Sequence, residues 1–132
     1  MTDFRISLPT QQVAMEHLAL LPAVARYCEE LFPSDAMVTC NQTRVEAHIE
    51  LGEGVGAIII IDVDPVPGSP ARTAVSGSFS AAGPKLEESD RPIIEGLAGQ
   101  VIAGLSEVIR ERVAEISAAE ALRSAAAGDF GL

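Results

Sequence analysis

Five side chains in the middle of this 132-residue chain have types and spacing that could do chemistry. Glu46, His48 and Glu50 alternate along one segment, and Asp62 and Asp64 along the next. Residues two apart on a strand point to the same face, so each set would stand together. Carboxylates beside an imidazole suit manganese, iron or zinc, and an open coordination position could activate water. That would make a small metal- or ligand-dependent enzyme. The simpler reading is a polar, outward strand face on which Arg44 pairs with Asp62 or Asp64, since exposed charges are ordinary on half-buried strands.

The other reactive residue types have less support. His17 and Cys28 fall on the apolar stripe of a predicted helix, where a histidine bonded to the backbone and a small core thiol are the ordinary outcomes. Neither Cys28 nor Cys40 has a base or an oxyanion hole nearby in sequence. Gly52-Glu53-Gly54-Val55-Gly56 superficially resembles a phosphate loop, but it joins two strands and no GK[ST] follows. Ser76, Ser78 and Ser80 lack a GxSxG context. No cofactor is implied, and the lack of a catalytic constellation leans the reading away from an enzyme without deciding it.

The elements that must position these residues are strands. Val45, Ala47, Ile49 and Leu51 alternate with charge, and Ala57 to Val63 is an almost continuous β-branched run. Together they predict an antiparallel hairpin whose odd-numbered residues form one apolar face. A three-residue loop Gly52–Gly54 pairs Leu51 with Val55 and sets Arg44 opposite Asp62. A five-residue loop sets Arg44 opposite Asp64. In both, Ile58 and Ile60 lie on the otherwise charged even face, where an exposed pair invites association.

Around the hairpin, Phe4, Ile6 and Leu8 predict a short N-terminal strand ending at Pro9. Thr10 would cap a helical segment carrying Val13, Leu20, Leu21, Val24, Cys28 and Leu31, with Pro22 kinking or dividing it. Phe32 to Asp35 would end that segment, and Ala36 to Cys40 leads into the hairpin with possible further strand residues. The proline-rich run from Pro65 to Arg72 reads as a loop, and Thr73 to Ser80 as a third strand of the hairpin sheet. Ser89 or Asp90 would cap a long helix with an apolar stripe from Ile94 to Ile116, stopped near Gly128. Gly96, Gly99, Ala103 and Gly104 leave flat patches on it, suited to close approach by the sheet or another helix.

The expected fold is therefore α+β: a small antiparallel sheet of about three to four strands with an N-terminal helical segment and a long C-terminal helix packed on it. Residues 1–127 form one domain, and residues 128–132 a flexible apolar tail ending in Phe130 and Leu132. A net charge of −10 opposes electrostatic binding to nucleic acid or to anionic lipid. No apolar run approaching about 20 residues predicts a membrane span, and no secretory pattern opens the chain. Two cysteines without CxxC spacing fit free thiols in the cytoplasm. So small a sheet favours a homodimer, with Ile58, Ile60, Gly96, Gly99, Phe130 and Leu132 as interface candidates. The leading expectation is a non-enzymatic binding or assembly protein. The alternatives are the metal- or ligand-dependent enzyme on the hairpin face and a binder of an apolar small molecule between sheet and long helix.

Overall fold

In the computed structural model, which describes residues 2–31, 36–52 and 54–130, the alternation of Val45 to Leu51 and the apolar run after it form the predicted hairpin. Strand β3 spans Arg44–Gly52 and β4 spans Val55–Val66. Arg44 lies opposite Asp62, and the pairing holds to Glu50 opposite Gly56. There the register shifts, so that Gly52, not Leu51, faces Val55. Gly54 takes the turn at φ +74°, a conformation glycine adopts at little cost. The odd-numbered residues Val45, Ala47, Ile49, Ala57, Ile59, Ile61 and Val63 are all buried.

The sheet has five strands rather than three to four, in the order β1-β5-β4-β3-β2, all antiparallel. Strand β1 (Thr2–Val13) does not end at Pro9. It is an edge strand whose register shifts between Leu8 and Gln11, and an edge bulge accommodates a residue without an N–H. Thr10 is thus strand, not helix cap, and helix α1 starts later, at His17–Leu31. It runs through Pro22 as one helix. The buried Thr73 hydroxyl donates to the Met15 carbonyl at 2.6 Å and ties the corner between β1 and α1 to the sheet. Strand β2 (Ala36–Cys40) pairs with β3 as the other edge. The proline-rich loop expected from Pro65 to Arg72 shrinks to a turn at Pro67 and Gly68, the latter at φ +78°. Strand β5 (Ser69–Gly83) follows and pairs along the length of β4.

Helix α2 (Arg91–Phe130) is entered through a single 3-10 turn at Glu88–Asp90. The Asp90 carboxylate accepts from the Glu87 N–H at 2.9 Å, a reciprocal cap that satisfies an otherwise orphaned donor. Helix α2 does not stop at Gly128 but continues to Phe130. Leu132 lies outside the described residues, as does the side chain of Phe130. By length and composition alone α2 is apolar enough to cross a membrane, although charged residues interrupt it before any continuous apolar run of about 20 residues. Its stripe of Ile94, Ala98, Val101, Leu105 and Ile109 is instead buried in the core.

Both helices contribute to one core on the odd face of the sheet. Leu20, Leu21, Val24 and Cys28 of α1 join the α2 stripe, Phe79 and the odd residues of the hairpin. The Tyr27 hydroxyl donates to the Val101 carbonyl at 3.2 Å, and Arg112 Nε to the Ala19 carbonyl at 3.0 Å, joining α1 to α2. The glycine that permits their close approach is Gly104, where a Cβ would strike the Tyr27 ring. Gly96 and Gly99, assigned the same role from sequence as Gly104, are exposed and face open space. Over the final turns, Ser117 to Ala125 are exposed on every side.

Candidate functional site

The even face of the hairpin carries the five residues first singled out, and an arginine organises them. Arg44 Nε donates to Asp62 Oδ1 at 2.8 Å, and its Nη1 lies 3.8 Å from Glu46. The hydrogen bond and charge of Asp62 hold the guanidinium pKa above its ordinary value. His48 Nε2 lies 3.9 Å from Glu46 Oε2. Glu50 and Asp64 are exposed and further along the face. Among the described residues, no three histidine, cysteine, aspartate or glutamate side chains come together in a group able to hold a metal ion.

The same face holds an open groove of about 930 Å³. Two rows of outward residues cross the sheet there. Met37, His48, Ile58, Ser80 and Arg5 are successive cross-strand partners from β2 to β1. Glu50, Gly56, Ala82 and Asp3 form the next row. Strands lie about 4.8 Å apart, so the first row spans about 19 Å. In the second row the small Gly56 and Ala82 lie between the longer Glu50 and Asp3. Met37 is 70% exposed and Ile58 37%. Ile60, the other predicted interface isoleucine, is half-buried.

A second, smaller space lies between sheet and long helix. At the β1 bulge the strand leaves a cleft of about 200 Å³ against α2, lined by Leu8, Pro9, Gln11, Ile102, Leu105 and Ser106. Leu8 and Leu105 are buried; Gln11 and Ser106 are half-buried and are its polar side chains. No titratable group lines it.

No protein-family model matches this sequence, and none of the curated proteins is similar to it in sequence. Solved structures are similar in shape. A START superfamily protein from Mycobacterium smegmatis superposes with a TM-score of 0.58 at 13% identity, covering 85% of this chain and 98% of that one. The chain shares that START fold. A norcoclaurine synthase from Thalictrum flavum matches at TM-score 0.47 and 13% identity, over 88% of this chain and 97% of that one. A Streptomyces aromatase/cyclase matches at 0.45 and 13%, over 84% and 94%.

Within this START-type frame the cysteines differ sharply. Cys28 is buried, and desolvation, aided by Glu29 and Cys40, pushes its thiol up to about 12. A thiol held protonated is a poor nucleophile, so Cys28 serves as core. Cys40 is exposed at the end of edge strand β2. The cleft residues and the groove residues Asp3, Arg5, Met37, Ser80 and Ala82 were not assigned to a site from the sequence. Arg5 stood within reach of that reading, because it alternates with Phe4 and Ile6 and so had to face away from the core. The cleft follows from a bulge, which pairing reveals and composition does not.

Proposed function

We propose that the protein is a non-catalytic binder of a small, mainly apolar molecule, held between β1 and α2. The observation that carries this reading is the cleft at the β1 bulge. Leu8, Pro9, Ile102 and Leu105 offer an apolar surface, and Gln11 and Ser106 offer two hydrogen-bonding groups to orient one polar end. A few placed polar groups in an apolar lining is the usual composition of a ligand site. The START fold supports the reading at the level of architecture. The cleft lies below the usual range of about 300–1,000 Å³ for ligand pockets, so the ligand is small or α2 moves outward to admit it. The groove on the other face is larger but open, and a small molecule lying in it would keep one side in water.

The test is titration of the protein with 1-naphthol, a two-ring apolar molecule with one hydroxyl, followed by its fluorescence. Saturable binding of one molecule per chain is expected. Ser106→Trp fills the cleft from a half-buried position and weakens binding at least about ten-fold. Ser80→Trp on the opposite face leaves it unchanged. Binding that is absent, or that responds only to Ser80→Trp, overturns the proposal.

A further inference from the structure

The outer groove has a property that a ligand pocket does not need: its two rows complement each other. We infer that this face pairs with the same face of a second copy of the chain, about a two-fold axis that runs across the strands between the rows. One row reads Arg5, Ser80, Ile58, His48 and the other Asp3, Ala82, Gly56, Glu50, in the same order across the sheet. The rows lie two residues, about 7 Å, apart along the strands. A two-fold axis between them, in the plane between two facing sheets, exchanges the rows. Arg5 then stands over the partner's Asp3, and His48 over the partner's Glu50. Ile58 stands over the partner's Gly56, and Ser80 over the partner's Ala82. Each basic or imidazole group meets a carboxylate, and the isoleucine meets the residue without a side chain.

The chain by itself leaves these groups unused. Among the described residues Arg5, Asp3 and Glu50 make no ion pair, and His48 only approaches Glu46 at 3.9 Å. Self-complementarity is what a two-fold interface requires, because the same patch must serve both copies. The axis lies about two residues from the strand ends at Thr2, Gly52, Val55 and Gly83, so the copies overlap over about five residues of four strands. That is about 19 Å by 17 Å, or about 300 Å², against about 800 Å² per partner in a standard interface, so the association is a weak one carried by the facing charges. Facing sheets pack about 10 Å apart, within reach of arginine and carboxylate side chains. Opposing this is the net charge of −10 on each copy. That repulsion is long-range and screened beyond about 8 Å at physiological salt, whereas the facing pairs are in contact.

Sedimentation equilibrium of the full chain at physiological salt tests this. A dimer is expected. Arg5→Asp sets carboxylates over the partner's Asp3 at two symmetric places and weakens association at least about ten-fold. Combining it with Asp3→Arg restores the opposite charges and returns the dimer. Both positions are exposed, so far-ultraviolet circular dichroism stays unchanged. A monomer at all concentrations overturns the proposal. So does a dimer indifferent to Arg5→Asp, or one that the double exchange fails to restore.

Discussion

Ile58 and Ile59 are the same residue type, adjacent in one strand, and stand in opposite surroundings. Ile59 is completely buried beneath the helices, and Ile58 is 37% exposed on the outer groove. Along α2 the contrast recurs with glycine: Gly104 lies against the Tyr27 ring, while Gly99 faces open space. In both pairs residue type says nothing about role, and one step of register or a few steps of helix decides it. The inner face holds the chain folded, and through the β1 bulge it leaves one small cleft. The outer face contributes little to folding, so its residues are free to recognise something else.

The widest separation between the faces should come from the two isoleucines. Ile59→Ala removes methylenes from a packed interior and is expected to cost about 2–5 kcal/mol in urea unfolding, the usual range for buried isoleucine truncation. Ile58→Ala, measured at a concentration where the chain is monomeric, should cost only about 1 kcal/mol, from strand propensity and the part of the side chain that is covered. At higher concentration the Ile58 effect should grow, because association stabilises the folded chain by mass action. Equal costs for the two substitutions in the monomer would remove the distinction between the faces.

That distinction was partly legible in the sequence. The odd–even split from Val45 to Val63 is strict, and it predicted the buried set apart from the half-buried Leu51; it left Arg44 opposite either Asp62 or Asp64, and the structure takes Asp62. The five strands were less legible, for local reasons. Pro9 reads as a strand end, but an edge bulge absorbs it and carries β1 to Val13. The run from Pro65 to Arg72 reads as a loop, yet Pro67 and Gly68 make the whole turn. The rows of the groove were beyond reach because Arg5, Ser80 and Asp3 meet His48 and Glu50 only once β1 is placed beside β5. Gly96, Gly99 and Gly104 were singled out together, because the sequence shows a glycine's position on the helix but not which neighbour approaches it.

The two glycines of α2 provide a smaller and more local contrast. Gly104→Val places side-chain atoms into the Tyr27 ring, which is held by its hydrogen bond to the Val101 carbonyl. Overpacking of this kind costs about 1–3 kcal/mol. Gly99→Ala meets nothing and should stabilise the helix by up to about 1 kcal/mol through backbone entropy alone. Thermal unfolding of the two variants should therefore shift the midpoint in opposite directions. A gain from both would mean that α1 and α2 are not in close contact at Tyr27.

A last contrast separates the two thiols. Cys40 is exposed and should react with a disulfide reagent at neutral pH within the mixing time, while Cys28 should react only as the chain unfolds. The raised pKa of Cys28 also has a thermodynamic consequence. In the unfolded chain the thiol ionises near its ordinary value of 9.0, and in the folded chain only near about 12. Below pH 9 both states hold the proton and stability does not depend on this group. Between pH 9 and 12 the unfolded state loses the proton and the folded state keeps it, so stability falls by at most about 1.36 kcal/mol per pH unit. Tyr27, whose hydroxyl is likewise raised by burial, adds in the same direction above its ordinary value of 10.0. Cys28→Ala should flatten the decline between pH 9 and 10, where the tyrosine contributes little, and Cys40→Ala should leave it unchanged. A decline that follows Cys40 instead would place the shielded thiol on the edge strand and not in the core beneath the sheet.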